Sequence, residues 1–229
     1  MSSSDSKSGG GRKTRILIVE DHPVFIFGLK ELIHQEKDLE ICGEAPDVTS
    51  GWEKILDLKP DMVIVDITLK GPSGIELIRD INKRFKTLPV LVLSMHDESL
   101  YAERALSAGA RGYIMKQEAS ESIVKAVRTV LKGEIYASKS LMHNLLNRFI
   151  SHPESRTEDP LSRIDKLTDR ELEVLRGIAH GLNTREIADK FNLSVKTIGT
   201  YRERIKEKIG LKNAAELIRF AIRWIEQNR

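Results

Sequence analysis

The chain has 229 residues, of which 40% are hydrophobic and 31% charged, a balance typical of a globular protein with room for two domains. No apolar run is long enough to cross a bilayer, so we expect no membrane partner. The Ser/Gly-rich start, residues 1–13, lacks the apolar core of a signal peptide and predicts a flexible tail. The single cysteine, Cys42, excludes an internal disulfide and suits a reducing cytoplasm, and we expect its thiol to be buried and inert.

The net charge of +3 is unevenly distributed along the chain. Residues up to Asp159 carry a net charge of −2, whereas those from Pro160 onward carry +5. Between Lys196 and Lys212, six Lys and Arg residues face only two glutamates. This asymmetry predicts that only the basic tail meets nucleic acid.

Five short apolar runs alternate with five helix-like segments in the first part of the chain. The runs predict buried parallel strands at 15–19, 39–44, 62–66, 88–93 and 111–114. The other segments predict helices at 22–35, 49–58, 73–85, 98–108 and 120–131, the third of which begins with a capping-box pattern, Ser73-Gly74-Ile75-Glu76. Together they predict a flavodoxin-like α/β domain with a doubly wound, five-stranded parallel sheet at residues 14–135.

The segment 136–163 predicts a linker helix and then a flexible linker. Its helical stripe consists of Leu141, Met142, Leu145, Leu146 and Phe149, and a polar stretch at 151–160 is broken twice by proline. Beyond it, residues 164–229 predict an all-α domain of four helices. The first has a capping box, Thr168-Asp169-Arg170-Glu171, and stops at Gly181; Asn183 and Ser194 cap the next two, Gly210 ends the third, and the fourth spans 214–224.

Polar side chains stand at the ends of four predicted strands: Glu20 and Asp21, Asp66, Ser94, and Lys116. Because the carboxyl ends of parallel strands share one edge, where ligands bind, we expect these side chains in one crevice. The Asp66 carboxylate can attack phosphorus to form an acyl phosphate. Three converging carboxylates repel one another unless a divalent cation bridges them, and Mg²⁺ fits because it also accepts a phosphate oxygen. Lys116 and Ser94 can then donate to two further phosphoryl oxygens.

The residues at these strand ends resemble the receiver domain of two-component response regulators. Three segments are similar to the NarL/FixJ branch in particular: Glu20-Asp21-His22-Pro23, Gly71-Pro72-Ser73-Gly74 and Ser107-Ala108-Gly109-Ala110-Arg111-Gly112-Tyr113. The resemblance implies that a histidine kinase phosphorylates Asp66, with Mg²⁺ held by Glu20, Asp21, Asp66 and the backbone carbonyl of Thr68. It also implies that Ser94 and Tyr113 are a switch pair, in which the hydroxyl moves onto the phosphoryl group and the ring follows it inward. The alternative for Tyr113 is a half-buried strand aromatic.

Two positions depart from the receiver pattern. Lys70 stands where the family usually has proline, and Gln117 follows Lys116 where many receivers have proline, which removes the usual reason for a cis peptide there. Thr68 and His96 flank the predicted site and are candidates for tuning the lifetime of the phosphoryl group. The rival interpretation is a haloacid-dehalogenase-like phosphatase, which needs a general acid two residues after its nucleophile. Thr68 occupies that position, so we favour a storage switch over an enzyme.

The basic tail contains a helix-turn-helix pattern, with two short helices joined by Asn192-Leu193-Ser194. On the second helix Ile198, Ile205 and Ile209 fall on the core side, and the opposite face is polar. Such a face can enter the major groove, although a merely solvated face is the alternative. The candidate DNA contacts are Lys196, Thr197, Gly199, Thr200, Arg202, Glu203, Arg204 and Lys206, among which Lys196, Arg202 and Lys206 are expected at phosphates.

The segment from Lys166 to Leu211 resembles a LuxR-type output domain, through Gly181-Leu182-Asn183-Thr184-Arg185-Glu186-Ile187-Ala188 and Leu193-Ser194-Val195-Lys196-Thr197-Ile198. Gly199 stands where that family commonly has Lys, Arg or Glu. We expect it to permit close approach of the backbone to the groove, which leaves readout to Thr200, Glu203 and Arg204.

The two resemblances together imply a DNA-binding transcription regulator that forms a homodimer on phosphorylation and then fits two half-sites. The fourth helix is a candidate dimer surface, with core packing as the alternative for its apolar residues Leu217, Phe220, Ala221 and Trp224. The nearest function of another class is a signalling adaptor whose output domain contacts protein rather than DNA. Salt-sensitive binding to duplex DNA separates the two.

Overall fold

A computed structural model describes residues 12–69, 72–95, 98–143, 164, 166–191 and 193–227. The chain divides into two compact units, Met1–Ser138 and Lys139–Arg229. Several predictions lie outside the described residues: those for most of the N-terminal tail, for Lys70 and His96, for the apolar stripe from Leu145 onward, and for the linker at 151–160.

The first unit contains one sheet of five parallel strands, as predicted. The strands are β1 (Thr14–Val19), β2 (Leu39–Ala45), β3 (Met62–Asp66), β4 (Val90–Ser94) and β5 (Gly112–Met115), in the spatial order β2-β1-β3-β4-β5. The strand order reverses direction between β1 and β3. In open sheets of this kind, ligands bind at the carboxyl ends of the strands flanking such a switch point. The topology alone therefore selects the crevice beyond Val19 and Asp66.

Five helices cover both faces of the sheet: α1 (Pro23–His34), α2 (Val48–Leu58), α3 (Gly74–Arg84), α4 (Glu98–Ala108) and α5 (Ala119–Leu131), the last preceded by a short 3-10 helix, Lys116–Glu118. Helices α1 and α5 pack together, and α3 packs between α2 and α4. In β1, Ile16 and Ile18 join the core under α1 and α5, while Val19 lies against Gly51 of α2. Because both faces are buried, the strands are continuously apolar rather than alternating.

Some boundaries and one cap differ from the sequence predictions. Strand β4 begins at Val90 rather than at residue 88, because the preceding Pro89 has no N–H to donate to the ladder. The capping box predicted at α3 was wrong. Ser73 Oγ does cap the helix, but it accepts from the N–H of Ile75 at 3.2 Å, while the N–H of Glu76 donates to the Ser73 carbonyl oxygen at 2.9 Å.

The outer edge of β5 is partly paired with the chain that leaves α5. Tyr136 forms a parallel bridge with Gly112. The N–H of Tyr113 donates to the Tyr136 carbonyl oxygen, and the N–H of Tyr136 donates to the Arg111 carbonyl oxygen, both at 2.9 Å. The start of the interdomain segment is therefore held in register with the strand that carries Tyr113.

The second unit contains the four predicted helices: α6 (Asp169–Ala179), α7 (Thr184–Lys190), α8 (Val195–Ile209) and α9 (Ala214–Gln227). The capping box at Thr168 and the caps at Asn183 and Ser194 are confirmed, and the Asn183 cap is itself a capping box. Gly181 and Gly210 have φ of +78° and +83°, the left-handed conformation that ends a helix. The Ser194 cap sets the start of α8 after the turn that follows α7.

Candidate functional site

The crevice at the switch point collects the polar side chains that end the strands. Glu20 follows β1, Asp66 ends β3, Ser94 ends β4 and Lys116 follows β5. All four are buried, Asp66 and Glu20 with 1% of their surface exposed. Buried ionised groups are costly unless they are paired, so their arrangement around one another decides what the crevice can do.

The Asp66 carboxylate is held at both of its oxygens. Its Oδ1 accepts from the N–H of Thr68 at 3.0 Å, and its Oδ2 accepts from Lys116 Nζ at 2.9 Å. Lys116 Nζ also lies 2.5 Å from Glu20 Oε2 and 4.8 Å from the centre of the Phe25 ring. One ammonium thus bridges two carboxylates from different strands, in front of an aromatic face that favours a cation.

The electrostatics of the crevice favour an added cation. Burial, and next the nearby Glu20 carboxylate, raise the pKa of Asp66 above its ordinary value, although Lys116 and the Thr68 N–H oppose the shift. The single positive charge of Lys116 does not compensate the carboxylates of Glu20, Asp21 and Asp66. A divalent ion with oxygen ligands would supply the missing charge.

His22 belongs to the same cluster. The sequence predicted the carboxylates there but not this histidine. Its Nδ1 lies 2.8 Å from Glu20 Oε1 and 2.9 Å from Asp21 Oδ1, and its backbone N–H donates to Glu20 Oε1 at 2.9 Å. One ligand atom from each of Glu20, Asp21, His22 and Asp66 lies within 4.8 Å of the others. The three carboxylates of this set fit Mg²⁺, which is bound through carboxylates, water and phosphate oxygens.

Asp66 is positioned by a glycine that the sequence did not single out as functional. A Cβ at position 74 would lie 2.1 Å from the Asp66 carbonyl oxygen and 3.0 Å from Ile67 Cα. The N–H of Gly74 donates to the Ile67 carbonyl oxygen at 3.0 Å. Only glycine therefore lets the first turn of α3 approach the end of β3 so closely.

The predicted switch pair is buried on one face of the sheet. Ser94 pairs with Met115 in the β4–β5 ladder, and Tyr113 lies two residues earlier on β5. Residues two apart on a strand share a face, so the Ser94 and Tyr113 side chains point to the same side. Tyr113 is only 1% exposed, so it is fully rather than half buried, and its part in a switch stays a prediction.

Helix α8 presents the polar face that the sequence predicted. Ile198, Ile205 and Ile209 are buried, whereas Lys196, Thr200, Glu203 and Arg204 are exposed and Thr197, Gly199, Arg202 and Lys206 are partly exposed. Three of the polar side chains have partners within the helix: Glu203 Oε2 lies 2.8 Å from Lys206 Nζ, and Thr200 Oγ1 donates to the Lys196 carbonyl oxygen. Apart from the adjoining residues and the backbone of α8 itself, no heavy atom lies within 4 Å of a Cβ built at Gly199, so packing within the described chain does not require glycine there.

The residues predicted as a dimer surface on the fourth helix are core residues. Leu217, Phe220, Ala221 and Trp224 of α9 are all less than 7% exposed. They repeat at the spacing of a helix face that packs inward against α6. Two large apolar residues of α9, Ile218 and Ile222, lie one turn apart and are 42% and 41% exposed.

Comparison with known proteins assigns the chain to a family. Residues 16–128 match the response regulator receiver domain, and residues 165–221 match the bacterial regulatory proteins of the luxR family. The oxygen regulatory protein NreC of Staphylococcus aureus is 34% identical over 210 residues, which cover 91% of this chain and 97% of NreC. The chain belongs to the LuxR-type response regulators. The NarL/FixJ resemblance is confirmed.

Two solved structures of the response regulator RcsB resemble this one over most of the chain. RcsB from Salmonella enterica serovar Typhimurium, bound to promoter rprA in the presence of the phosphomimetic BeF₃⁻, has a TM-score of 0.56 and 26% identity, covering 92% of this chain and 98% of RcsB. A structure of two RcsB dimers bound to two parallel DNAs has a TM-score of 0.54 and 26% identity, covering 95% and 100%.

This response regulator therefore has a receiver domain whose crevice gathers the predicted Glu20, Asp21, Asp66, Ser94 and Lys116. Its LuxR-type domain presents the predicted DNA-contact residues on α8.

Cys42 differs from expectation, because it is partly rather than fully buried, and its burial raises the pKa of the thiol. Within the residues that the structure describes, no helix combines the length and the apolar character needed to cross a membrane.

Proposed function

We propose that this response regulator is a cytoplasmic transcription regulator that a histidine kinase phosphorylates on Asp66. The observation that carries the proposal is the Asp66 carboxylate at the end of β3, buried and held between the Thr68 N–H and Lys116 Nζ. A buried carboxylate beside a cation can act as a nucleophile towards phosphorus, and a bound divalent ion would offset the negative charge that the phosphoryl group adds.

The transfer is balanced by simple bond exchange. An Asp66 carboxylate oxygen bonds to phosphorus while the P–N bond of the kinase's phosphohistidine breaks, and the imidazole nitrogen keeps the electron pair and takes up a proton. Lys116 Nζ and Ser94 Oγ donate to the phosphoryl oxygens. Glu20, Asp21, Asp66 and the Thr68 carbonyl would hold Mg²⁺, which would supply positive charge to these oxygens.

The crevice stores the phosphoryl group rather than turning it over. Rapid hydrolysis of an acyl phosphate needs a group that activates water. Thr68, two residues after Asp66, cannot act as that acid or base near neutral pH. We therefore propose a switch, in which the lifetime of the phosphoryl group sets the duration of the output.

The switch reaches the output domain through β5. Ser94 and Tyr113 share one face of the sheet, so movement of the hydroxyl onto a phosphoryl oxygen opens space that the Tyr113 ring can fill. The Tyr113 N–H is bonded to Tyr136, three residues before the helical segment 139–143 begins. A shift of Tyr113 is thereby transmitted to the segment that joins the two domains.

The output is dimerisation on DNA. The exposed pair Ile218 and Ile222 on α9 gives an apolar surface for a second copy, and α8 of each copy enters one half-site, where Lys196, Arg202 and Lys206 contact phosphates. The structure of two RcsB dimers bound to two parallel DNAs supports dimerisation and DNA binding. Lys206 must leave Glu203 to reach a phosphate, which frees Glu203 to accept from a base edge.

The test compares the wild type with Asp66→Asn in BeF₃⁻ and Mg²⁺. The protein first selects duplexes from a random DNA pool, and the retained duplexes are sequenced. The mass of the protein in solution and its affinity for the enriched duplex are then measured with and without BeF₃⁻. We expect the wild type to dimerise and bind more tightly, with a strong salt dependence, and the variant to do neither. The proposal fails if the wild type changes neither in mass nor in affinity, or if it binds no duplex DNA.

A further inference from the structure

His22 is the member of the acidic cluster that the proposed function leaves without a role. It is the N-cap residue of α1, yet its side chain makes no capping hydrogen bond to the helix. Instead the ring is turned towards the strand ends, where its Nδ1 lies 2.8 Å from Glu20 Oε1 and 2.9 Å from Asp21 Oδ1. Local helix structure therefore does not account for the orientation of this imidazole.

Two of the donor separations match those of a metal shell. In an octahedral shell with ligands at about 2.1 Å, neighbouring donor atoms lie about 3 Å apart. The distances from His22 Nδ1 to Glu20 Oε1 and Asp21 Oδ1 have this value, which the hydrogen bond to Glu20 also has, and a ligand atom of Asp66 lies within 4.8 Å of these atoms. The side chain is 63% exposed, and in the neutral tautomer with the proton on Nε2 the Nδ1 lone pair is available to an ion.

We propose that His22 supplies a nitrogen ligand to the divalent ion of this site, so that the site prefers a first-row transition ion such as Mn²⁺ to Mg²⁺. The proposal rests on the proposed function only for the acidic cluster that holds the ion. Mg²⁺ binds oxygen donors and gains little from imidazole, whereas divalent first-row ions accept nitrogen readily. One imidazole among the carboxylates therefore shifts selectivity without changing the charge of the site.

The first test detects the bond between nitrogen and the metal directly. Metal-free full-length protein is loaded with Mn²⁺ and examined by pulsed EPR for coupling to ¹⁴N. We expect the coupling in the wild type and in His34→Ala, which removes an exposed histidine from the other end of α1, and its loss in His22→Ala. Bound Mn²⁺ without ¹⁴N coupling in the wild type overturns the proposal while leaving the acidic site intact. No Mn²⁺ or Mg²⁺ binding at all overturns the acidic site itself.

The second test separates a ligand from a hydrogen-bonding partner. His22→Asn keeps a side-chain N–H donor near the position of Nδ1 but removes the imidazole. If His22 is a ligand, the dissociation constant for Mn²⁺ rises about tenfold in both His22→Asn and His22→Ala, while that for Mg²⁺ changes little. If His22 only orients the carboxylates, His22→Asn keeps the wild-type ratio of the two constants, and the proposal is wrong.

Discussion

Gly74 controls how closely α3 approaches the residue proposed to accept the phosphoryl group. The substitution Gly74→Ala would place a Cβ 2.1 Å from the Asp66 carbonyl oxygen, and real Cβ contacts are essentially never shorter than 3.0 Å. The first turn of α3 must therefore retreat by close to 1 Å. The contact is with backbone, so no side-chain rotation relieves it.

The expected loss of stability follows from two effects. Overpacking of this kind costs about 1–3 kcal/mol, and the hydrogen bond from the Gly74 N–H to the Ile67 carbonyl oxygen contributes about 1 kcal/mol that the retreat weakens. We expect the free energy of unfolding to fall by about 2–4 kcal/mol. The matched control is Gly28→Ala in α1, where a Cβ meets no heavy atom within 4 Å and helix propensity favours alanine by up to about 1 kcal/mol.

Urea unfolding of the two variants and the wild type measures the stabilities, and the rate of phosphorylation by a small acyl phosphate measures the site. We expect Gly74→Ala to be less stable and to react more slowly, because the β3–α3 connection that carries Thr68 is displaced. We expect Gly28→Ala to be at least as stable as the wild type and to react normally. If Gly74→Ala matches the wild type in both measurements, the close approach of α3 does not position Asp66.

Three further predictions concern the charges of the site and the reading helix. Lys116→Met removes the cation that pairs with the Glu20 and Asp66 carboxylates. Thermal unfolding in EDTA should show that the free energy of unfolding falls by about 3–5 kcal/mol, and Mg²⁺ should partly restore it. Equal stability of the variant and the wild type in EDTA argues against the ion pairs. The pKa of Asp66 is raised from 3.8, so the folded protein holds this proton more tightly than the unfolded chain does. The metal-free wild type should therefore lose stability relative to Asp66→Asn as pH rises above that value. A difference in stability that stays constant from acidic to neutral pH contradicts this. Gly199→Ala should weaken binding to the enriched duplex although alanine favours the helix, and unchanged or tighter binding refutes the role of Gly199. Arg202→Ala should weaken binding to all duplexes alike and reduce the dependence of affinity on salt. A loss of affinity that depends on the duplex sequence refutes a phosphate contact of Arg202.

The fold was predictable because the signals for it are local and repeated. Each apolar run is continuous since residues such as Ile16 and Val19 are buried on opposite faces of the same strand, and that pattern is visible without coordinates. The carboxyl ends of parallel strands share one edge of the sheet, and there they bring Glu20, Asp66 and Lys116 together. The sheet topology therefore explains why these side chains lie in one crevice.

The remaining features depend on tertiary geometry that periodicity does not encode. An amphipathic pattern marks one face of α9 as apolar, but the sequence does not say whether Leu217 and Trp224 meet their own core or a second copy. Nothing in the sequence distinguishes a His22 ring turned towards the carboxylates from one turned to solvent. The constraint on Gly74 comes from the backbone at the end of β3. The sequence pattern of α3 does not contain this contact.

The most direct measurement of the central claim is the intact mass of the protein after incubation with Mg²⁺ and a small acyl-phosphate donor. We predict that the wild type gains the mass of one phosphoryl group, that Asp66→Asn gains none, and that mild alkali removes the added mass because an acyl phosphate is labile. An unchanged wild-type mass, or an equal gain in Asp66→Asn, would contradict the proposed role of Asp66.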